Sequence, residues 1–504
     1  MKMSKLICAL WALLTVLGGL ISCGGGKDAT ETEQMTETEA TETEEETKRL
    51  DEYGREYIED DIPEDLTFKS AADNTVTFFA REAGVYALEM DCDELKEDTL
   101  NDAIYYRNVT VEERLGVTIT QILQPWDSTT WNQTLRNAVL NRTGDYDAAA
   151  IYASQSSAMA TEGVYLNVNE LNYLNTDKPW WNQKAVSELE LYGALYFLGG
   201  DIAITEVLNA GLIAFNKTLF EKYHPGVSLY EVVDNFDWTV DKLYELSSVV
   251  HEDLNTSGQI DDGDVIGITH WSCNSQNSGF MDLWLPAVGV AMTTPNSEGI
   301  PEITIYNDRS VLGFEKLKKL CTENPGGVPK TGLKQTTFVN GMALFSTNTP
   351  THCEALREMK DAYGVLPLPM LNKEQGFYAT YAQNACSLIV VCSDCPEDRQ
   401  DMIGATLELM AAESYRKVIP EYMEVCLRSK YSESPDDARM YDLIVDGITI
   451  DFGFVYASKS IATINGLFRN LYNDFAQLYT SKQSSYESAL TALIDKLDEI
   501  SYQN

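Results

Sequence analysis

The feature that most constrains the fold is an alternation of strand and helix patterns that begins near residue 66. Residues 66–80 end in a run of alternating polar and apolar residues at 75–79, which predicts a strand. Residues 98–115 have the pattern of a helix, and residues 117–122 have that of a second strand. A strand, a helix and a strand in this order predict a βαβ unit, which implies a mostly parallel sheet covered by helices. The sequence therefore predicts an α/β protein.

The same alternation continues through the rest of the chain. Further helices are predicted at residues 131–141, 239–251, 310–321, 399–412, 439–445, 461–478 and 485–500. Further strands are predicted at residues 147–152, 195–198, 211–214, 343–345, 363–367 and 387–391. No repeat of about 20–50 residues is visible, which excludes solenoids and propellers. At about 100–200 residues per domain, a chain of this length implies two or three domains.

The N-terminus carries a signal for export. Two lysines precede an apolar run at residues 6–20, as in the charged and apolar regions of a secretory signal. Residues 20–23, Leu-Ile-Ser-Cys, resemble the bacterial lipobox, in which the chain is cleaved before a lipid-modified cysteine. We therefore expect a signal peptide at residues 1–22 and a lipid anchor on Cys23, at the extracytoplasmic face of a bacterial cell membrane. The alternative is an ordinary secreted protein in which this cysteine is fortuitous.

The charge of the chain is strongly negative and unevenly distributed. The chain has 37 Lys and Arg against 78 Asp and Glu, a formal charge of −41. This balance argues against nucleic acid as a partner, because binding a phosphate backbone requires a basic surface. Residues 24–65 alone contain 17 acidic and four basic residues, and threonine alternates with glutamate there. Such a stretch buries too little apolar surface to offset chain entropy, so residues 23–65 are predicted to form a disordered tether.

Short motifs in a fixed order resemble one family of binding proteins. They are residues 107–117 (RNVTVEERLGV), 144–147 (GDYD), 178–181 (KPWW), 195–201 (LYFLGGD), 214–217 (AFNK), 338–345 (FVNGMALF) and 364–369 (GVLPLP). Their order, along nearly all of residues 66–504, resembles that of the extracellular solute-binding protein family 1. These proteins are lipoprotein receptors of bacterial ABC importers for carbohydrates.

The resemblance implies a two-lobed α/β fold of the periplasmic-binding-protein type II, with the ligand in the cleft between lobes joined by crossing strands. It places the first lobe at residues 66–204 and 363–415, and the second at residues 205–362 and 416–504. It also implies a monomeric receptor without enzymatic activity. Such a receptor captures a carbohydrate, here expected to be an oligosaccharide, by hinge closure and delivers it to ABC permease subunits in the membrane.

The sequence offers side chains suited to such a ligand. Sugars present flat C–H faces and a rim of hydroxyl groups, so aromatic faces and a few fixed polar groups commonly hold them. The candidate aromatic side chains are Trp126, Trp180, Trp181, Trp271, Trp284 and Tyr381. Asp201, which follows two glycines near the expected crossing, is the candidate hydroxyl acceptor. Each tryptophan has an alternative interpretation as a core residue, and Asp201 has one as a turn residue.

Residues 253–264 match the pattern of an EF-hand calcium loop with two departures. The candidate ligands at loop positions 1, 3, 5, 7 and 12 are Asp253, Asn255, Ser257, Gln259 and Asp264. Hard oxygen ligands from one loop suit Ca²⁺, which would act as a structural staple. Ser257 replaces a carboxylate or an amide, and Asp264 is shorter than the usual glutamate. The alternative is a plain acidic surface turn.

Catalytic motifs are absent from the sequence. It contains no H-E-x-x-H, no G-x-S-x-G and no glycine-rich phosphate loop, so we expect a binding protein and not an enzyme. A secreted glycoside hydrolase is one alternative, because that reaction needs only two carboxylates. A surface polysaccharide-binding lipoprotein without a transporter is another. Formation of a cleaved product would identify a hydrolase. A preference for polymeric sugar without lobe closure would identify the polysaccharide-binding lipoprotein.

Overall fold

The N-terminal βαβ unit forms as the sequence predicts. In the computed structural model, strand β1 (Thr75–Arg81) pairs in parallel with strand β2 (Thr118–Gln124) over their full lengths. Helix α1 (Thr99–Leu115) connects them. It begins where the Asp98 carboxylate accepts a backbone N–H hydrogen bond, and it ends at Gly116, whose φ of 68° favours glycine.

The structure describes residues 49–51, 56–261, 263–269, 281–327, 335–353, 356, 359–423, 435–457 and 460–502. The remaining strands are β3 (Ala148–Tyr152), β4 (Leu212–Asn216), β5 (His251–Glu252), β6 (Val265–Thr269), β7 (Thr293–Pro295), β8 (Pro301–Ile303), β9 (Ala343–Asn348), β10 (Tyr363–Pro367), β11 (Thr380–Tyr381), β12 (Ser387–Val391) and β13 (Ile448–Thr449). The remaining helices are α2 (Ser128–Leu140), α3 (Ala153–Ser156), α4 (Gln183–Leu189), α5 (Thr205–Leu208), α6 (Lys217–Tyr223), α7 (Leu229–Asp234), α8 (Val240–Ser248), α9 (Trp284–Ala287), α10 (Asp308–Thr322), α11 (Gln335–Val339), α12 (Pro350–Cys353), α13 (Glu397–Glu413), α14 (Ile419–Glu421), α15 (Pro435–Asp446), α16 (Phe452–Tyr456), α17 (Gly466–Arg469) and α18 (Phe475–Ser501).

The first sheet has four strands in the order β12, β3, β1, β2. Strands β1, β2 and β3 are parallel, and β12 runs antiparallel to β3. All five residues of β12 are buried, as are the first four of β3, because helices or other strands cover both faces. By contrast, the edge strand β2 exposes part of its length.

The second sheet has five strands in the order β10, β4, β9, β6, β5. Strand β10 pairs along its whole length with β4, in the antiparallel sense. The prediction that the first lobe resumes at residue 363 is therefore wrong, because residues 363–367 belong to the second sheet. The motif order had suggested the boundary, but hydrogen-bond pairing between strands 150 residues apart is not visible in the sequence.

The chain passes repeatedly between the two sheets. It leaves the first sheet after β3 and reaches the second at β4, through a segment that includes helix α5, and it returns between β10 and β12. Helix α13 then packs against α1 beside the first sheet, whereas helix α15 packs against strand β10 of the second. Across the described residues, no helix combines the length and the apolar character needed to cross a membrane.

The last part of the predicted tether belongs to the folded unit. The side chain of Asp60 is 3% exposed and accepts hydrogen bonds from Arg114 at 2.8 Å and from Arg416 at 3.0 Å. Asp61 forms an ion pair with Lys178 at 2.8 Å. The prediction of disorder as far as residue 65 is therefore wrong at this end, because basic residues of the folded body neutralise acidic side chains that were expected to repel one another.

Two further predictions differ from the structure. The predicted helix at 461–478 is interrupted, because Asn470 has an extended backbone and Asp474 caps the start of α18. The predicted strand at 195–198 is an irregular segment, in which Leu198 forms an isolated bridge to Ile389 of β12. The long C-terminal helix itself was expected, although it begins ten residues earlier than the sequence suggested.

Candidate functional site

Three strands of the first sheet have neighbouring ends, at the edge of the sheet that is formed by the carboxyl ends of its parallel strands. Because β1 and β3 are parallel, their last residues, Arg81 and Tyr152, lie at the same edge of the sheet. Strand β12 is antiparallel, so its first residue, Ser387, lies opposite Tyr152. In open α/β sheets, ligands bind outside the carboxyl ends of the strands. We call the group formed here by Arg81, Tyr86, Trp126 and Tyr152 the strand-edge site.

The Arg81 guanidinium lies at the centre of this site, among three aromatic rings. Its carbon atom Cζ is 3.8 Å from the centroid of the Tyr86 ring, 5.2 Å from that of Tyr152 and 5.7 Å from that of Trp126. At these distances a cation is attracted to the electron-rich face of a ring. The charge of Arg81 therefore holds the three rings around one point.

Hydrogen bonds fix the Arg81 side chain, which is only 3% exposed. Nη1 donates to the carbonyl of Ala385 and Nη2 to the hydroxyl of Ser387, both at 2.8 Å. Nε has no hydrogen-bond partner among the described residues. Burial lowers the pKa of Arg81, while Tyr86 and Glu89 act in the opposite direction. The side chain is thus held in a fixed position, and its Nε atom is buried.

Each of the three rings follows the carboxyl end of a different parallel strand. Tyr86 lies in a short 3₁₀ helix after β1, Trp126 lies just after β2, and Tyr152 ends β3. All three residues are half-buried, so part of each remains accessible. Trp126 stacks on Tyr152 with centroids 4.8 Å apart and an interplanar angle of 24°, and it contacts the buried Trp131 at 5.7 Å. The rings therefore form a supported aromatic surface.

Two amide side chains from the segments that cross between the sheets border this surface. Asn209, at the end of α5, donates to the Tyr86 hydroxyl at 3.3 Å. Asn384, just before β12, accepts from the Tyr152 hydroxyl at 3.3 Å. The site thus combines aromatic rings from the first sheet with hydrogen-bonding groups from both crossing segments.

A buried polar network joins Arg81 to the first crossing segment. Glu89 is fully buried and accepts hydrogen bonds from Thr205 N–H at 2.9 Å and from the Thr205 hydroxyl at 2.6 Å. The same hydroxyl accepts from the N–H of Ser387 at 2.9 Å. Burial raises the pKa of Glu89, which Thr205 and Arg81 partly offset. Arg81, Ser387, Thr205 and Glu89 therefore form one connected group beneath the site.

The C-terminal part of the chain approaches the same site. Burial raises the pKa of Tyr152 to about 12, and the charges of Arg81 and Arg469 act to lower it. Arg469, at the end of α17, is buried in an ion pair with Asp282. A second guanidinium is thus close enough to Tyr152 to influence its hydroxyl.

The structure brings three of the predicted ligand residues together in a different place. Trp180, Trp181 and Asp201 line a pocket of about 790 Å³. The indole rings are nevertheless covered, since Trp180 and Trp181 are 0% and 1% exposed, and their N–H groups donate to the buried Glu408 at 3.1 and 2.9 Å. The two rings therefore pack in the core beneath the pocket, and their contact with a ligand stays a prediction.

The other predicted aromatic residues are divided among several environments. Trp126 belongs to the strand-edge site. Trp284 is buried, and so is Tyr381, whose hydroxyl donates to Asp451 and whose ring stacks on Phe454. For these two residues the core interpretation applies. Trp271 lies outside the described residues.

Sequence reasoning missed Arg81, Tyr86 and Tyr152. The signal that could have found Arg81 and Tyr152 is their position, since each directly ends an apolar strand pattern. Residues at the carboxyl ends of parallel strands are natural ligand contacts. Tyr86, by contrast, follows its strand after a loop of unpredictable course.

The candidate calcium loop is organised by hydrogen bonds to its carboxylates. Asp253 accepts from the N–H groups of Ser257 at 3.1 Å and Gly258 at 2.8 Å, and the buried Asp264 accepts from the N–H of Leu254 at 3.2 Å. Gly258 has the φ of 70° that such a tight loop requires. In the described part of the chain, no three His, Cys, Asp or Glu side chains converge as a metal-binding group. Amide, hydroxyl and carbonyl oxygens, which also suit Ca²⁺, would therefore have to complete the donor set.

The two helix-covered sheets and the segments that cross between them define a two-lobed α/β fold of the periplasmic-binding-protein kind. A solved structure described as a cyclo/maltodextrin-binding protein complexed with maltotetraose matches 85% of this chain and 97% of its own, with a TM-score of 0.51 and 13% sequence identity. At this identity the likeness shows the fold alone.

Other similar structures have TM-scores just below this value. One is an ABC substrate-binding protein from Listeria monocytogenes in complex with cycloalternan, with 14% identity, a TM-score of 0.48 and coverage of 85% of this chain and 98% of its own. Another is the GacH receptor of Streptomyces glaucescens, in unliganded form and with acarbose, with 15% identity, a TM-score of 0.48 and the same two coverages. No protein-family model matches the chain. No curated protein matches it either.

Proposed function

We propose that this chain is the extracytoplasmic substrate-binding protein of an ABC importer and that it captures a carbohydrate at the strand-edge site. The observation that carries the proposal is the set of three half-buried aromatic rings around Arg81 at the carboxyl edge of the first sheet. The likeness in fold to a maltodextrin-binding protein with a bound oligosaccharide supports the choice of ligand class.

Each part of the site has a role in binding a sugar. The rings of Tyr86, Trp126 and Tyr152 stack on the apolar C–H faces of the ligand. Asn209 and Asn384, which hydrogen-bond the Tyr86 and Tyr152 hydroxyls, exchange hydrogen bonds with its hydroxyl groups. Because the Arg81 network fixes these groups in advance, binding costs little side-chain entropy.

A screen of mono- and oligosaccharides by thermal shift and calorimetry tests the ligand class, with maltotriose and maltotetraose as the first probes. A ligand at 100 times its Kd adds about 2.7 kcal/mol to the free energy of unfolding, a shift that is easily measured. We expect at least one oligosaccharide to stabilise the protein. No stabilisation across the panel, combined with stabilisation by peptides, would contradict the carbohydrate assignment. Cleavage of the oligosaccharide would instead indicate a glycoside hydrolase.

We further propose that Cys23 carries the lipid anchor and that closure of the two lobes presents the loaded protein to its permease. The export signal and the lipobox resemblance support the anchor. Replacing Cys23 with Ala should release the protein from the membrane fraction of expressing bacteria. Retention of the Cys23→Ala variant in that fraction would contradict lipidation, and Cys92→Ala is the matched control because Cys92 is buried in the fold.

The loop at residues 253–264 is proposed to bind Ca²⁺ as a structural staple. Its ligands would be Asp253, Asn255, Ser257, the backbone carbonyl of Gln259, and Asp264. Calcium would supply the positive charge that holds these oxygens together. Chelation with EDTA should lower the melting temperature of the wild type and leave Asp253→Ala unchanged. An identical melting temperature of the wild type with and without EDTA would contradict the proposal that Ca²⁺ stabilises this loop.

A further inference from the structure

The pocket lined by Trp180 and Asp201 is formed by different residues from those of the strand-edge site. It has a volume of about 790 Å³, within the range of small-molecule sites. Its wall comes from four segments, residues 179–184, 200–207, 415–423 and 442–448. We call it the acidic pocket, and none of the four residues that define the strand-edge site lines it.

Carboxylates dominate the charge of this pocket. Asp201, Glu206, Asp442 and Asp446 line it, and Lys184 is the basic residue among its described lining side chains. Asp442 and Asp446 are exposed at the rim, on one face of helix α15, and Glu206 is buried in the wall. A cation entering the pocket would therefore meet acidic groups on two sides.

These carboxylates lie close enough to disfavour one another's charge. Burial, with a smaller contribution from the charges of Asp201 and Glu89, outweighs the hydrogen bonds from Asn182 and Gly200 and raises the pKa of Glu206 to about 8. Glu206 is therefore largely protonated at neutral pH, and Asp201, Asp442 and Asp446 are the other acidic groups of the pocket. Burial likewise raises the pKa of Asp446, and Asp442 adds to that effect. Like charges that raise one another's pKa are stabilised when a cation comes between them.

Aliphatic side chains supply much of the remaining surface of the acidic pocket, beside three aromatic residues and the amides of Asn182 and Gln183. The aliphatic side chains are those of Pro179, Val207, Ile419, Pro420, Met423, Val445 and Ile448. A bare metal ion gains nothing from such walls, and in the described residues no three metal-binding side chains converge here. An organic cation, by contrast, can bury methylene groups against these side chains, at about 0.8 kcal/mol per CH₂.

We propose that the acidic pocket is a second ligand site that takes an aliphatic amine, with its ammonium group on the carboxylates and its hydrocarbon part on the apolar wall. Such a ligand would contact both surfaces at once, and it would bring the positive charge that a neutral sugar lacks and the hydrocarbon part that an inorganic ion lacks. This proposal does not depend on whether a sugar binds at the strand-edge site.

Calorimetric titration with cadaverine and spermidine tests this proposal on the full soluble chain. We expect saturable binding that weakens as salt is raised, because exposed charges are screened. The double variant Asp442→Asn, Asp446→Asn should raise the Kd about tenfold or more, as expected when two charge-assisted hydrogen bonds are lost. These side chains are exposed, so the variant should fold.

The matched control is Asp495→Asn with Glu499→Gln, which removes the same charge from exposed positions on helix α18. It should bind the amines like the wild type. Equal weakening in both variants would show that only the overall negative charge attracts amines and would overturn the site. Absence of saturable binding by the wild type, or displacement of both amines by equal concentrations of Mg²⁺, would also overturn it.

Discussion

Arg81 and Tyr86 are in direct cation–π contact, with the Arg81 Cζ atom 3.8 Å from the centroid of the Tyr86 ring. The guanidinium is itself held by Ala385 and Ser387, on the return segment and strand β12. The position of the ring is therefore set by Arg81 of β1, which is itself fixed by the Ala385 carbonyl and the Ser387 hydroxyl. A ligand that stacks on Tyr86 meets a surface that is already in place.

Replacement of Arg81 by Lys should weaken ligand binding while keeping the charge. Lysine lacks the planar fork that bonds two acceptors at once, so one of the partners of Arg81 would lose its donor. We expect the Kd for the saccharide found in the screen to rise about tenfold and the free energy of unfolding to fall by about 1–3 kcal/mol. Calorimetry and urea unfolding measure the two effects. Arg142→Lys, at an exposed position, is the control, and equal effects in both variants would contradict this role.

Trp126 and Trp131 should separate binding from stability. Trp126 is half-buried, so Trp126→Ala should reduce affinity for the saccharide about tenfold or more with a modest loss of stability. Trp131 is fully buried, and Trp131→Ala should cost about 3–5 kcal/mol of stability. Tyr502→Ala, at a site 82% exposed, should change neither quantity. Unchanged affinity in a folded Trp126→Ala protein would exclude this ring from the ligand site.

Glu408 should make the protein less stable as pH rises toward neutrality. Burial raises its pKa from 4.5 to about 7, despite the indole N–H bonds. The folded state thus favours the neutral carboxyl, so this stabilisation is complete below pH 4.5 and is lost as pH rises through 7. One such group contributes a slope of at most about 1.4 kcal/mol per pH unit. Thermal unfolding across this range should be flatter for Glu408→Gln than for the wild type, and Glu499→Gln should leave the slope unaltered.

The neighbouring residues Asp60 and Asp61 should differ sharply in their effect on stability. Burial acts to raise the pKa of Asp60, but Arg114 and Arg416 outweigh it and hold the pKa below its usual value. The stability that Asp60 contributes is therefore present at neutral pH and lost as pH falls through that lowered pKa. Asp60→Ala removes the buried carboxylate that Arg114 and Arg416 share, although Arg416 keeps its ion pair with Glu413, and it should cost about 3 kcal/mol at pH 7.

Asp61→Ala is the matched control for this comparison. The Asp61 side chain is 59% exposed in its pair with Lys178, so its loss should cost no more than about 1 kcal/mol. Urea unfolding of the two variants measures the difference. Similar small losses for both would mean that residues 56–62 do not dock on the folded body in solution.

The sequence was most informative about local structure and the general class of fold. The run of alternating residues at 75–79, the cap at Asp98 and Gly116 act over a few residues, so their patterns predict β1 and α1 directly. The order of the motifs indicated two α/β lobes. The boundary at residue 363 failed because the pairing of β10 with β4 joins segments that are far apart in the chain.

The candidate site was harder to predict for the same reason. Trp180 and Trp181 were predicted as ligand contacts. The indole N–H groups of both instead donate to Glu408, which lies 227 residues beyond Trp181 in the sequence and satisfies their hydrogen-bonding capacity. Arg81 has an ordinary sequence context, and what distinguishes it is its contact with three rings from segments that are separate in the sequence. Of the predicted residues, Trp126 is the one that lies in the strand-edge site, and its contact with a ligand stays a prediction. Long-range neighbours decide whether an aromatic ring becomes core or contact surface.

The buried network of Arg81, Ser387, Thr205 and Glu89 has a consequence for attempts to redesign this protein. Thr205 belongs to the segment that connects the sheets, and it shares its hydroxyl with both Glu89 and the backbone of Ser387. Any substitution that repositions Arg81 will also disturb these bonds. A variant designed to change ligand preference should therefore also be assayed for its free energy of unfolding.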